Sequence, residues 1–212
     1  VNNKTNVQVW EHQKTKKAFY NGLLVCGIVW NCPVRAAKIS EKRRKELQQA
    51  FNIHKSEGGY IALLTLTFSH NTADRLKEML EKFGNATRKF MSGGAYNNIR
   101  GELGLIGRLR VFEVTYGQNG FHPHVHIALF YTNDVELKSI EKKMYFLWEK
   151  ACKKSELITS FKYGLDLQDG DEAQNYLSKH GTWGLDQELS KSHIKKDTND
   201  LMTPIRFSIE IS

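Results

Sequence analysis

Three observations predict an α+β fold. From residue 60 onward, runs with the two-residue alternation of strands and runs with helical spacing interleave in the order β-α-β-β-α-β. The turn Gly117-Gln118-Asn119-Gly120 joins two of those strands as a hairpin. The 212 residues, 40% hydrophobic and 25% charged, suit one ordinary core, or one core with a small appendage.

Residues 1–39 read as an irregular N-terminal appendage, polar at first and then mostly apolar with Gly and Pro ("YNGLLVCGIVWNCPV"). The remainder, 40–212, reads as one domain. A helix is expected from Ser40, an N-cap residue, through "EKRRKELQQAFNIHK", and Gly58-Gly59 should end it. "YIALLTLTF", 60–68, is a buried strand. Asn71 or Thr72 should start a helix whose apolar stripe is Leu76, Met79, Leu80 and Phe83, with "SGGAYNN" as an interruption. "RLRVFEVTY" and "FHPHVHIALFY" are the hairpin strands. "VELKSIEKKMYFLWEKACKK" is a helix, "FKYGLDLQ" a strand and "DEAQNYLSKH", 171–180, a short helix after an acidic cap. "TPIRFSIEIS" reads as a strand or as the stub of a helix. No repeat is visible. The order is that of the ferredoxin-like (split βαβ) sheet: four antiparallel strands, helices on one face, the other face open.

Lys plus Arg exceed Asp plus Glu by 31 − 23 = 8. Basic clusters recur at 14–17, 42–45, 153–154 and 195–196, which favours a polyanionic partner, nucleic acid first. Any one cluster alone would read as a solvated helix face. No apolar run approaches the ~20 residues of a membrane span, and the polar start carries no secretory signal. The chain begins with Val rather than Met, as an excised fragment would. Three cysteines, Cys26, Cys32 and Cys152, argue for a reducing compartment, hence the cytoplasm, and against a disulfide framework.

The chemistry concentrates in "NGFHPHVHIALFY". Whether the hairpin loop has two residues or four, Glu113 falls opposite His124, with His126 its diagonal neighbour. Alternation then puts Glu113, Thr115, His122, His124 and His126 on one face and Phe121, Val125, Ile127 and Leu129 on the core side. Two imidazoles and a carboxylate on an open sheet face make a divalent-cation site with positions left for substrate. A lone histidine there would be a surface residue; three in alternation facing a carboxylate are not read that way. His122 precedes Pro123 at the strand entrance and is expected to contact substrate rather than metal.

The helix 171–180 places Glu172, Tyr176 and Lys179 or His180 on one face. A tyrosine has a pKa near ~10 and is a poor nucleophile at neutral pH. A nearby lysine and a metal would favour its phenolate and offset charge on a phosphate. By itself the helix would be simply amphipathic; beside the cation face, Tyr176 becomes a nucleophile candidate.

These residues resemble a known family. "GFHP" followed by "HVH" is similar to the His-hydrophobe-His motif of the HUH endonucleases, "LLTLTF" to their first motif, and "YLSK" to their Tyr-x-x-Lys motif. Glu172 resembles the Glu-x-x-x-Tyr pattern of one branch, the replication initiator (Rep) proteins of rolling-circle plasmids with one catalytic tyrosine. "CGIVWNCPVRAAKISEKRRKEL" resembles the segment before that branch's first motif, so the likeness spans roughly residues 20–195. In relaxase relatives the tyrosine precedes the histidines; here it follows. Where the family often has Cys-Pro-x-Cys, this chain has Cys32-Pro33-Val34-Arg35, so a zinc site through Cys26 and Cys32 lacks an evident third ligand.

The resemblance implies sequence-specific nicking and joining of single-stranded DNA at a replication origin. Glu113, His124 and His126 would hold Mn²⁺ or Mg²⁺, Tyr176 would attack the phosphate to give a 5′-phosphotyrosine, Lys179 would offset charge, and Glu172 would activate water in the closing step. Arg43, Arg44, Lys45 and His122 would contact DNA. No G-x-x-x-x-G-K-[ST] loop is present, so a helicase would come from the host; self-association is left open. A single-tyrosine HUH transposase, an RRM-like single-strand-binding module and a non-haem iron oxygenase stay as rival readings. Divalent-ion dependence separates the RRM-like binder, which needs no ion, and Tyr176 has no place in the oxygenase.

Overall fold

The computed structural model of the chain describes residues 8–21, 33–170 and 206–211. The chain divides into two compact units, Val1–Ile39 and Ser40–Ser212. In the first, β1 (Gln8–Glu11) and β2 (Ala18–Asn21) pair antiparallel around a short turn, where irregular chain was expected.

Helix α1 (Pro33–Ser56) starts seven residues before the expected Ser40. Proline is well suited to a first helical position, because its missing N–H has no helical partner there anyway. Gly58, at φ +82, stops it. Gly59 then turns into β3 (Tyr60–Leu66) under the His54 ring, which a Cβ on Gly59 would overlap.

Helix α2 (Leu76–Phe90) begins later than Asn71 because the loop before it is folded on itself. Asn71 Oδ1 accepts from the Ala73 amide at 2.9 Å, and Asp74 Oδ2 accepts from the Asn71 amide at 2.8 Å. The segment expected to interrupt contains a further helix, α3 (Gly94–Leu103), entered through Gly93 at φ +93 and left through Gly104 in the left-handed conformation. Strands β4 (Leu105–Gly117) and β5 (Gly120–Tyr131) form the hairpin; α4 (Leu137–Lys153) and β6 (Leu165–Asp169) follow. The C-terminal segment is a strand, β7 (Arg206–Ile211).

The sheet order is β6-β3-β5-β4-β7, with every neighbouring pair antiparallel. The first four strands stand in the ferredoxin-like order, and β7 extends the sheet beyond β4. One face carries the main core: Leu64, Val125, Ile127 and Leu129 from the strands meet Phe83 and Phe90 of α2, Tyr96 of α3, and Met144 and Trp148 of α4. The second face is not wholly open. Phe51 and Leu47, one turn apart on α1, cover Ile61, Leu63, Leu109, Val111 and Ala128 at one end of it. His54 Nε2 lies 3.0 Å from the Tyr60 carbonyl oxygen and 3.1 Å from that of Tyr131. The other end of this face holds the histidines. No helix among the described residues is long and apolar enough to cross a membrane.

Candidate metal centre

The hairpin pairs Gly117 with Gly120, so its loop is the two residues Gln118-Asn119, and Glu113 stands opposite His124. His126 pairs with Val111 on one side and with Thr65 of β3 on the other. Partners in register share a face, so Thr65, Glu113, Thr115, His122, His124 and His126 all project from the second face.

Three of these side chains converge. Glu113 Oε2 is 3.2 Å from His124 Nε2 and 3.8 Å from His126 Nε2. The ligand atoms of the three residues lie within 4.8 Å of one another. The Glu113 side chain is 1% exposed and each imidazole 12%, so the donors are desolvated yet reachable from one side.

Hydrogen bonding fixes which nitrogens face inward. His124 Nδ1 is 3.1 Å from the carbonyl oxygen of His122. A carbonyl only accepts, so Nδ1 carries the hydrogen and, in the neutral ring, Nε2 keeps a lone pair. That lone pair faces a carboxylate oxygen. His126 Nδ1 is 3.0 Å from Thr65 Oγ1, which can accept its hydrogen and leave Nε2 toward Glu113. Acceptors crowded around a buried carboxylate are unfavourable unless a proton or a cation lies among them. Two imidazoles and one carboxylate, each held by an outer partner, suit a divalent metal ion.

His122 is not among the three. Burial first, then the neighbouring His124 and His70, push its pKa down to about 4, so it stands neutral. His70, on the loop after β3, reaches both the His122 ring and the Asn119 carbonyl oxygen. Sequence reasoning named neither Thr65 nor His70. Thr65 could be found only from the register of β3 against β5, which lies 61 residues away. His70 has no spacing signal.

The other expected residues are placed less fully. Lys45 is exposed on α1; the side chains of Arg43 and Arg44 on the same helix lie outside the described residues. Glu172, Tyr176 and Lys179 lie outside them too, as do Cys26 and Cys32. Cys152 is buried against the core, which pushes its thiol up to about 12 and leaves it inert.

A sequence profile of the Rep_1 family, described as replication protein, matches residues 24–155, more than half of the 212-residue chain. The chain belongs to this family. The matched stretch takes in the hairpin with Glu113, His124 and His126 and ends before Tyr176. The chain is also similar to "Protein rep" of Streptomyces lividans, 30% identical over 155 residues, covering 60% of this chain and 34% of that protein. A Streptomyces cyanogenus protein called "Neomycin resistance protein" is 28% identical over 148 residues, covering 58% and 34%. "Protein rep" of Lentilactobacillus hilgardii is 28% identical over 136 residues, covering 58% and 42%. The chain thus spans between a third and a half of the length of these relatives. No solved structure matches it significantly.

Proposed function

We propose that this chain is the nicking domain of a plasmid replication initiator, an HUH endonuclease that cuts and rejoins single-stranded DNA at an origin. The convergence of Glu113 Oε2, His124 Nε2 and His126 Nε2 on one spot of a sheet face carries the reading. A mixed nitrogen and oxygen donor set favours Mn²⁺ over Mg²⁺, which takes oxygen ligands and keeps its waters. The bound ion would supply positive charge to a non-bridging oxygen of the scissile phosphate.

The chain's own groups do the rest. Tyr176 Oη attacks phosphorus, the bond to the 3′ oxygen breaks, and the phenolic proton is given up while the departing oxygen becomes a 3′-OH. The product is a 5′-phosphotyrosine, so the phosphodiester energy is conserved for rejoining. Lys179 neutralises charge on the phosphate. Glu172 takes the proton of the water that ends the cycle.

The surface near this end of the sheet suits unpaired bases. The loop between α4 and β6 is tied to the end of β3 by the Ser69–Ile158 bridge and by the Thr67 amide donating to Gly164. It exposes Ile158, Phe161 and Tyr163, with the Lys162 ammonium 4.9 Å from the Tyr163 ring centroid. Exposed rings with a cation among them stack bases of any sequence. The net charge of +8 supports backbone binding. A double-stranded origin would have to be opened by a host helicase.

Incubating the chain with a labelled pool of random single strands and Mn²⁺, then denaturing, tests this. A covalent adduct whose phosphopeptide maps to Tyr176, absent with EDTA and absent in Tyr176→Phe, is expected. An adduct formed by Tyr176→Phe, or cleavage undiminished by EDTA, would overturn the mechanism.

A further inference from the structure

Four of the chain's eight histidines stand in a row. Ring centroids are 4.8 Å apart from His70 to His122, 5.1 Å from His122 to His124, and 5.0 Å from His124 to His126. Three belong to β5. The first, His70, comes from the loop after β3 and closes the row from outside the hairpin.

With neutral rings, backbone carbonyls set the hydrogen-bond direction from His70 to His124. His70 Nδ1 is 3.1 Å from the carbonyl oxygen of Asn119. The carbonyl only accepts, so His70 carries its hydrogen on Nδ1, and Nε2 of the neutral ring is an acceptor. That Nε2 faces His122 Nδ1, which must therefore donate. Farther along, the carbonyl oxygen of His122 receives Nδ1–H of His124. Two backbone carbonyls, Asn119 and His122, thus set the tautomers of His70, His122 and His124, and the last leaves His124 Nε2 toward Glu113.

The loop that holds His70 is a firm support. Its Asn71 and Asp74 side chains bond back to its own amides. The hairpin tip rests against it so closely that a Cβ on Gly120 would come 3.1 Å from Thr72 Cα.

We propose that His70 is a positioning residue for the metal centre. By accepting from His122 and donating to Asn119, it clasps both sides of the Gly120 turn to the 69–75 loop. That holds the His122 carbonyl where it fixes the metal-facing nitrogen of His124. The role rests on reading Glu113, His124 and His126 as metal ligands. The His122 carbonyl is the outer partner of His124, and loss of such a partner typically changes metal affinity by ~10–100-fold.

The test uses the full chain, with Mn²⁺ alone as the probe. Long-range ¹H–¹⁵N correlation on ¹⁵N-histidine protein, metal-free, should find His70, His122 and His124 all protonated on Nδ1. Calorimetric Mn²⁺ affinity should fall by roughly 10–100-fold in His70→Ala. His70→Gln puts a carbonyl oxygen near the Nε2 position and should recover most of it. His70→Asn reaches only Asn119 and should not. If His70→Ala fails to fold, the contrast between Gln and Asn and the wild-type tautomers still decide. His122 protonated on Nε2 in the wild type, Gln no better than Asn, or wild-type affinity in a folded His70→Ala would each overturn the role. No Mn²⁺ uptake by the wild-type chain would overturn the metal reading itself, and this role with it.

Discussion

Replacing Thr65 by Val removes one hydroxyl and almost nothing else. The two side chains are close in volume and both are β-branched, so β3 keeps its conformation and its pairing. What is lost is the acceptor 3.0 Å from His126 Nδ1. With its side chain only 12% exposed, His126 has little water to take over. A donor buried without a partner costs about 1–3 kcal/mol, and the residual exposure places the effect toward the lower part, about 1–2 kcal/mol. A ring freed from Thr65 can also turn its hydrogen onto Nε2, which no longer binds a cation. The metal-free ring escapes the first cost by that turn, so the penalty falls on the metal-bound state and scarcely touches folding. Mn²⁺ affinity measured by calorimetry should therefore fall by ~5–30-fold, with the thermal midpoint of the metal-free chain within a few degrees of wild type. Thr65→Ser returns an acceptor and should recover most of the affinity. Unchanged affinity in Thr65→Val would mean that His126 does not face the ion through Nε2, and the ligand geometry described above would be wrong.

Glu113→Gln keeps the side chain's shape and removes its charge. Removing the charged partner from so buried a site should weaken Mn²⁺ by about 3 kcal/mol or more, over ~100-fold. A loss of metal-free folding stability of about 3 kcal/mol would point instead to a structural ion pair with His124. On the DNA side, Phe161→Ala and Tyr163→Ala should each weaken binding of a labelled single strand by about 1–3 kcal/mol if each ring stacks a base, leaving Mn²⁺ affinity unchanged. Wild-type binding by the double variant in a gel-shift titration would remove this loop from the DNA path.

The pairing of Glu113 with His124 was legible because a local signal sets its phase. Gly117 and Gly120 flank the turn, and any two- or four-residue loop between those strands leaves Glu113 against His124. The partners that orient those ligands were not legible. Thr65 meets His126 only through the β3–β5 register, which nothing local to either strand specifies. His70 meets His122 through a loop whose shape depends on the Asn71 and Asp74 bonds. Helix α3 was missed because Gly93-Gly94 reads as a break, whereas a glycine at φ +93 can equally begin a helix. The cover that α1 lays over one end of the second face was missed because, among the described residues, Leu47, Phe51 and His54 make it from a helix rich in charge. The tyrosine-bearing helix lies outside the described residues, so Tyr176, Glu172 and Lys179 stand on sequence alone.

The position of Glu113 ties the fold to the chemistry. It sits on β4 paired with His124 of β5, one residue beyond the β4–β7 ladder, and its carboxylate is removed from water. Such a group is costly to ionise without a partner, and in a purely structural sheet an apolar residue would stabilise more. Here the His122 carbonyl holds His124 at Nδ1 and Thr65 Oγ1 stands 3.0 Å from His126 Nδ1, so Nε2 of each ring faces Glu113. The arrangement gathers imidazole nitrogens around a desolvated carboxylate, where a proton or a cation is stabilising. Donors placed on paired strands rather than loops would reorganise little on binding the proposed ion. The hairpin supplies the charge and nitrogens, while β3 and its following loop set their direction. A substitution in Thr65 or His70 should thus act on metal affinity before it acts on the fold.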